Sequence, residues 1–394
     1  MHDIMLDMRN EGEGGARQAE KVKVAATRID DPELAAQELF RELDLPSLTG
    51  VLLFASSRYD LAALARAVAL RGDDVTIIGC TSSGEITPEG FAEGTITAIG
   101  FPASDFTLQA IRFADLDNFD PAEAQRRVRS LVADAAEASQ GFGRSQQRVA
   151  LFLVDGLSHR EEMLTVTVQD ALGEIPLIGG SSGDGLAFRE TFVLHEGQFH
   201  RDSALVAILS SWRPMKVFRS QYYQPGSVKM VITGADPVNR VVTEINAEPA
   251  AEEYARLANI QRKDLSPTVF ASAPPMVRAG GEYYVRSIQS ANPDGSLTFY
   301  CAIDEGVVLT LGEAKDIAGG LNILFDDLDR SVGGIDQVVG FDCVLNSVEI
   351  AQRQLTRTVS NIFAARHVVG FNTYGEQYHG LHVNQTFSGL AIGR

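Results

Sequence analysis

One short pattern occurs three times and limits what this chain can fold into. It is a glycine, a run of small or polar residues, a second glycine and then a carboxylate. The copies are Gly79-Cys-Thr-Ser-Ser-Gly84-Glu85, Gly179-Gly-Ser-Ser-Gly183-Asp184 and Gly370-Phe-Asn-Thr-Tyr-Gly375-Glu376. The middle copy is one residue shorter between its glycines. Each copy follows a short apolar run and precedes another. Three matches in one supersecondary context imply duplication. Glycine tolerates positive φ and close backbone approach. Gly370 and Gly375 can take positive φ, so they punctuate the third copy.

The sequence around each turn predicts strand–helix–strand–turn–strand. In the first copy an apolar strand covers 51–54, a helix 59–70 and a strand 75–78, and 95–99 closes the unit. A strand at 22–27 and a helix capped by Asp31, with Pro32 in its first position, precede it. The second copy places a strand at 149–154, a helix at 161–172, a strand at 177–178 and a closing strand at 204–209. The third has a strand at 341–345, one long helix at 347–365 and a strand starting at Val368. Between the last two copies, 210–334 is richer in Pro, Tyr and β-type runs. Strands are expected there at 228–232, 268–271, 283–288, 297–301 and 307–309, with a helix at 249–258. Asp294-Gly295 marks a hairpin turn. The expected class is α/β, with repeated units forming layered sheets flanked by helices and a β-rich segment inserted before the last unit. The expected division is a mobile tail at 1–20, a two-copy domain at 21–212 and a second domain at 213–394.

Composition narrows the function. The chain has 394 residues, 45% hydrophobic and 22% charged, with a net charge of −18. That acidity opposes non-specific binding to nucleic acid and to anionic membranes. Cys80, Cys301 and Cys343 are an odd, widely spaced set, which suits a reducing cytoplasm. No apolar run reaches membrane-spanning length.

The segments GCTSSGEI, LFLVDGL, PLIGGSSGDG, VRSI, DEG and GFNTYGEQ…HVNQT together resemble the FIST family, a bacterial sensory module with N-terminal and C-terminal parts. The likeness covers nearly all of the chain after the tail. It implies a non-catalytic sensor that binds a small ligand and signals to a partner. Stand-alone members of this length and ending are similar to the NosP group. That likeness implies haem b, nitric oxide as ligand, and a histidine kinase or cyclic-di-GMP enzyme as partner in trans. A homodimer is compatible with it.

The residues offer several candidate sites. His382 is the first choice for iron, because HVNQT lies in the family-like ending. Asn384 and Glu376 could orient its ring, and Arg286 could clamp a haem propionate. The plainer reading has His382 hydrogen-bonding a turn and Arg286 pairing with Asp304 or Glu305. His195, His200 and His379 are alternative ligands. Glu85, Asp184 and Glu376 could converge on a cation or an amino group, or each could cap its own turn. Ser82, Ser83, Ser181, Ser182 and Tyr374 are candidates for a haem-free site that takes an amino acid or another polar metabolite. Cys80 or a turn serine would serve a hydrolase, although no activating base is visible nearby.

Overall fold

The computed structural model describes residues 19–71, 75–143 and 146–394. Most of the tail expected at 1–20, with His2, lies outside the described residues. Glu20 does not: its N–H donates to Asp105 (2.8 Å) and its carbonyl accepts from Arg213 (2.7 Å).

Three units share one topology. The first comprises β1 Lys23–Thr27, α1 Pro32–Leu43, β2 Leu48–Ser56, α2 Leu61–Ala69, β3 Thr76–Ser82, β4 Glu85–Thr87, β5 Gly90–Ala92 and β6 Ile96–Pro102. The second comprises β7 Phe106–Ala114, α3 Pro121–Ala138, β8 Gln147–Val154, α4 Glu161–Leu172, β9 Leu177–Ser181, β10 Val193–His195, β11 Gln198–His200 and β12 Ser203–Ser211. The third starts with β13 Met215–Gln221, and then the chain leaves it for the inserted segment. That segment holds β14 Tyr223–Asp236, β15 Val241–Ile245, β16 Glu248–Pro249, α5 Ala250–Leu257, α6 Pro267–Ser272, β17 Pro275–Ala279, β18 Glu282–Val285, β19 Ile288–Ala291, β20 Leu297–Phe299 and β21 Val308–Ala314. The third unit resumes with α7 Ile317–Val332, β22 Ile335–Cys343, α8 Val344–Gln352, α9 Thr356–Ala365, β23 Val368–Thr373, β24 Glu376–Tyr378, β25 Leu381–Val383 and β26 Thr386–Gly393.

The repeating unit is thus longer than the sequence pattern suggested. Each begins with an extra strand and helix, and the insert falls between those two elements of the third unit. The boundary expected at 212/213 lies in the link between β12 and β13.

Each unit builds a six-stranded sheet around one parallel pair: β2 with β3, β8 with β9, and β22 with β23. The sheet orders are β1-β6-β2-β3-β10-β11, β7-β12-β8-β9-β24-β25 and β13-β26-β22-β23-β4-β5. The last two strands of each come from another unit. The hairpin after the first turn completes the third sheet, the second hairpin completes the first, and the third hairpin completes the second. The three units are therefore interlocked in a ring. The insert forms its own eight-stranded sheet, β18-β17-β21-β14-β15-β20-β19, with β16 beside β15.

This crossover explains the first glycine of each turn. In the three parallel pairs, Gly79 lies opposite Leu53, Gly179 opposite Phe152 and Gly370 opposite Gly340. A Cβ on them would sit 1.8, 1.7 and 1.8 Å from the carbonyl oxygens of those partners. Close backbone contact requires glycine at these positions, not positive φ. Gly370 and Gly375 do not use the positive φ open to them, whereas Gly84 takes it, at +137°.

One core joins the units. Phe54 of the first stacks on Phe371 of the third at 4.5 Å, and Phe341 meets both edge-on. Leu151, Leu205 and Leu209 of the second unit lie in the same cluster. Such aromatic pairs contribute about 0.5–1.5 kcal/mol each beyond their burial.

Other local expectations separate cleanly. Asp31 accepts from the Glu33 and Leu34 N–H groups, as the cap reading requires. Asp294-Gly295 lies in the loop of the β19–β20 hairpin. The strand expected at 268–271 is instead helix α6, because Pro267 pre-sets its first turn. The strand expected at 283–288 splits into β18 and β19, which pair with different neighbours. The helix expected at 347–365 breaks into α8 and α9. Gln354 takes φ of +60° there, with Leu355 N–H bonding Ile350 carbonyl and Gln354 N–H bonding Ala351 carbonyl. That is a Schellman stop with a residue other than glycine in the left-handed position.

Candidate functional site

Two of the carboxylates after the turns, Glu85 and Glu376, are held from within their own units. Ser82 Oγ donates to Glu85, which also accepts from Thr95 N–H (2.9 Å) and Thr95 Oγ1 (2.7 Å). The third unit repeats the cage. Thr373 Oγ1 donates to Glu376, which accepts from Thr386 N–H (3.2 Å) and Oγ1 (2.5 Å). Asp184 differs. It accepts from the N–H groups of Phe188 (2.8 Å), Arg189 (2.8 Å) and Glu190 (3.1 Å), and from the Tyr374 hydroxyl. Burial opposes its charge, but these donors hold its pKa below the usual range. Glu85 and Asp184 line one cleft, and Glu376 is not on its wall.

Glu376 has a measurable consequence. Burial is the main cause that pushes it up to about 8, and burial also raises its neighbour Asp342 to about 8. Both ionise near pH 4 in an unfolded chain. From there to about pH 8 the folded chain keeps protons that the unfolded chain has lost, so stability declines as pH rises and levels off above that window. We expect the urea midpoint to fall from about pH 5 to about pH 8, and to fall less in Glu376→Gln. An equal fall in both proteins would remove Glu376 as a source.

The cleft beside Glu85 has a volume of about 420 Å³ and takes a wall from every unit. The first supplies Ser56–Arg58, Ser82–Glu85, Glu93 and Gly94, the second Asp184–Ala187, and the third Val344, Ser347 and Val348 from the start of α8. Ser82 is committed to Glu85, whereas Ser83 Oγ is buried without a partner. Arg58 and Glu93 pair loosely at 3.9 Å on the exposed rim. Ser181 and Ser182 are spent elsewhere. Ser181 Oγ accepts from Gln377 Nε2 (2.9 Å), and Ser182 Oγ bonds the Val154 carbonyl (3.2 Å). Tyr374 packs on Phe188 and Tyr300. Thus four of the predicted polar residues share the cleft, and three lie outside its wall. Arg58 and Ser347 escaped the sequence reading, because nothing local ties either to a turn in a different unit.

His382 sits in a second, enclosed cluster. It is 5% exposed, and burial foremost lowers its pKa, so it is neutral at pH 7. Gln377 Nε2 lies 3.2 Å from its Nδ1. Arg286 reaches the His382 carbonyl (3.2 Å), and Asn384 bridges to Val285. Beside them Arg240 clasps Glu161 (2.5 Å) and Glu162 (2.7 Å). Burial works against the Glu162 charge, yet Arg240 and the Ala302 N–H help to hold its pKa below the usual range. The structure brings His382, Asn384 and Arg286 together. Arg286 does not pair with Asp304 or Glu305 among the described salt bridges; it serves the His382 backbone.

These residues do not fit haem as packed. An axial imidazole needs a free nitrogen facing a slot for the macrocycle. Here Nε2 and Asn384 Nδ2 lie 2.9 and 3.0 Å from where a Gly375 Cβ would be, so the ring edge faces backbone rather than a slot. Among the described residues no group of three or more His, Cys, Asp or Glu is placed to hold a metal ion. His195 lines another cleft of about 500 Å³, with Glu196 beside it. His200 is on the same hairpin, and burial foremost lowers both. His379 packs edge-on against Tyr378 at 4.5 Å. Cys80 is fully buried in β3, and burial pushes its thiol well up, the opposite of an activated nucleophile.

Three interlocked α/β units with polar clefts between them carry an inserted sheet. The FIST N domain model matches residues 49–248 and the FIST C domain model residues 250–379, so the chain belongs to the FIST family, whose domains are sensory ligand-binding modules of signal transduction. The boundary between the two matches falls inside the insert, at the end of β16. No curated protein matches the chain. Among the described residues no helix is long and apolar enough to cross a membrane.

Proposed function

We propose that this FIST protein is a haem-free sensor that takes a small zwitterionic metabolite, of the amino-acid class, in the open cleft between the three units. The carrying observation is Ser83, whose buried hydroxyl has no partner in a cleft that also presents Arg58, Glu93 and Asp184. A carboxylate suits Arg58 and the serine hydroxyls, and an ammonium suits the acidic wall. Occupancy changes how the units sit against each other, and a partner protein in the cytoplasm reads that change. A histidine kinase or a cyclic-di-GMP enzyme in trans is the partner class that the family likeness supports.

The test is a thermal-shift screen of amino acids and related metabolites. A ligand at a hundred times its Kd stabilises by about 2.7 kcal/mol, which raises the melting temperature of the wild type. Ser83→Ala and Arg58→Ala should lose most of that rise while melting normally without ligand. A panel that shifts nothing would sink the reading. The haem and nitric oxide reading is decided by the same preparation. A Soret band after haemin supply that moves with nitric oxide and is lost in His382→Ala would replace the metabolite reading.

A further inference from the structure

The interlocked ring makes the two polar sites counterparts. The first hairpin completes the third sheet, so the first turn lies by the start of α8, and that junction is the open cleft. The third hairpin completes the second sheet, so the third turn lies by the start of α4. That junction is roofed by the insert. Arg240 lies on Glu161 and Glu162, the Ala302 N–H donates to Glu162 (3.0 Å), and Arg286 holds the His382 carbonyl.

Beneath this roof the polar atoms are not satisfied. Gln377 Oε1, His382 Nε2 and both Asn384 side-chain atoms have no hydrogen-bond partner. Gln377 and Asn384 are wholly buried, and His382 nearly so. Leaving buried groups of this kind unbonded is costly. Three adjacent residues carrying four such atoms mark a place where something else supplies the bonds. Gly375 lets the His382 ring lie against the backbone here, because a Cβ there would meet His382 Cε1 at 2.4 Å.

The chemistry of the atoms selects the occupant. The cluster offers a donor from Asn384 Nδ2, acceptors from Gln377 Oε1 and Asn384 Oδ1, and the ring nitrogen of His382. All are neutral. The charges nearby are matched, two arginines (Arg240 and Arg286) against two glutamates (Glu161 and Glu162). An ion buried among neutral amides would bear a large desolvation cost. We infer that Gln377, His382 and Asn384 form a second, enclosed site for a small neutral molecule that both donates and accepts hydrogen bonds, of the carboxamide class. The insert is its cover, and entry requires the Arg240 clasp to loosen. This site is separate from the open cleft and does not depend on the metabolite reading.

The experiment follows the imidazole signals of the full chain, labelled on histidine, during titration with acetamide. The His382 signal is identified by its loss in His382→Gln. The expected result is a saturable shift of the His382 ring signal that persists in Ser83→Ala, which alters only the open cleft. Asn384→Ala should lose the shift while its melting transition shows it folded. Two results overturn the inference. One is a His382 signal that acetamide does not move in the wild type. The other is a soaked crystal that shows only ordered water on Asn384 and His382. Both rest on the wild type, so an unfolded Asn384 variant would not leave the question open.

Discussion

Arg240→Met is expected to be among the most damaging single changes in this chain, lowering stability by roughly 3–5 kcal/mol. Arg240 is 4% exposed, and its guanidinium bonds Glu161, Glu162 and the Tyr300 carbonyl. Removing it leaves the buried Glu161 carboxylate without its cation and unties the insert from α4. The loss should be local first. Hydrogen exchange is expected to rise around 297–303 and at β25 before it rises in the core under Phe54 and Phe371. Chemical denaturation of the variant and of the triple change Arg240→Met, Glu161→Gln, Glu162→Gln checks the cause. The triple change should recover most of the loss, since neutral groups no longer need the pairing. A drop below about 1 kcal/mol in the single variant would show that the clasp is weak.

Gly179→Ala is expected to cost about 3 kcal/mol or more, through overpacking that cannot relax. The added methyl would sit 1.7 Å from the Phe152 carbonyl oxygen, a backbone atom of the paired strand. Side chains can swing away from such a clash, but a strand inside a sheet cannot without breaking its ladder. Gly79→Ala and Gly370→Ala should behave alike, because the three positions are counterparts. Gly320→Ala in α7 is the control. No atom lies within 4 Å of its added Cβ, and alanine there should stabilise by about 0.5–1 kcal/mol. Melting temperatures of the four variants measure this. Equal melting of Gly179→Ala and Gly320→Ala would refute the close-contact account.

Much of the fold was legible because local chemistry carries it. Asp31 with Pro32 announced a helix start, Asp294-Gly295 announced a hairpin, and the recurring glycine–carboxylate turn announced duplication. The errors have local causes too. A β-branched run after Pro267 looked like a strand, but six residues cannot outweigh a proline that sets the first helical turn. Leu355, Val359 and Ile362 keep helical spacing because all three lie in α9 or at its start, so they carry no sign of the stop at Gln354. The extra strand and helix of each unit were hidden in the third by the insert that separates β13 from α7.

The candidate sites were legible only in part. Sequence spacing places Ser82, Ser83 and Glu85 together, because they are consecutive in one turn. It cannot say that Ser82 is consumed by Glu85 while Ser83 is not, nor that Asp184 shares their cleft and Glu376 does not. Those outcomes depend on which hairpin joins which sheet.

By itself the sequence determined the class, the existence of repeated units, the places of the turns and the family, since periodicity, caps and turn residues act over a few positions. Only the tertiary structure decided that the units exchange hairpins around a ring. Strand pairing is made by backbone groups that every residue carries, so the sequence does not label which edge a hairpin will complete. The same exchange settled the meaning of the glycines, required by a neighbouring carbonyl, and of His382, whose ring is neutral and enclosed because Gln377, Gly375 and the inserted segment meet around it.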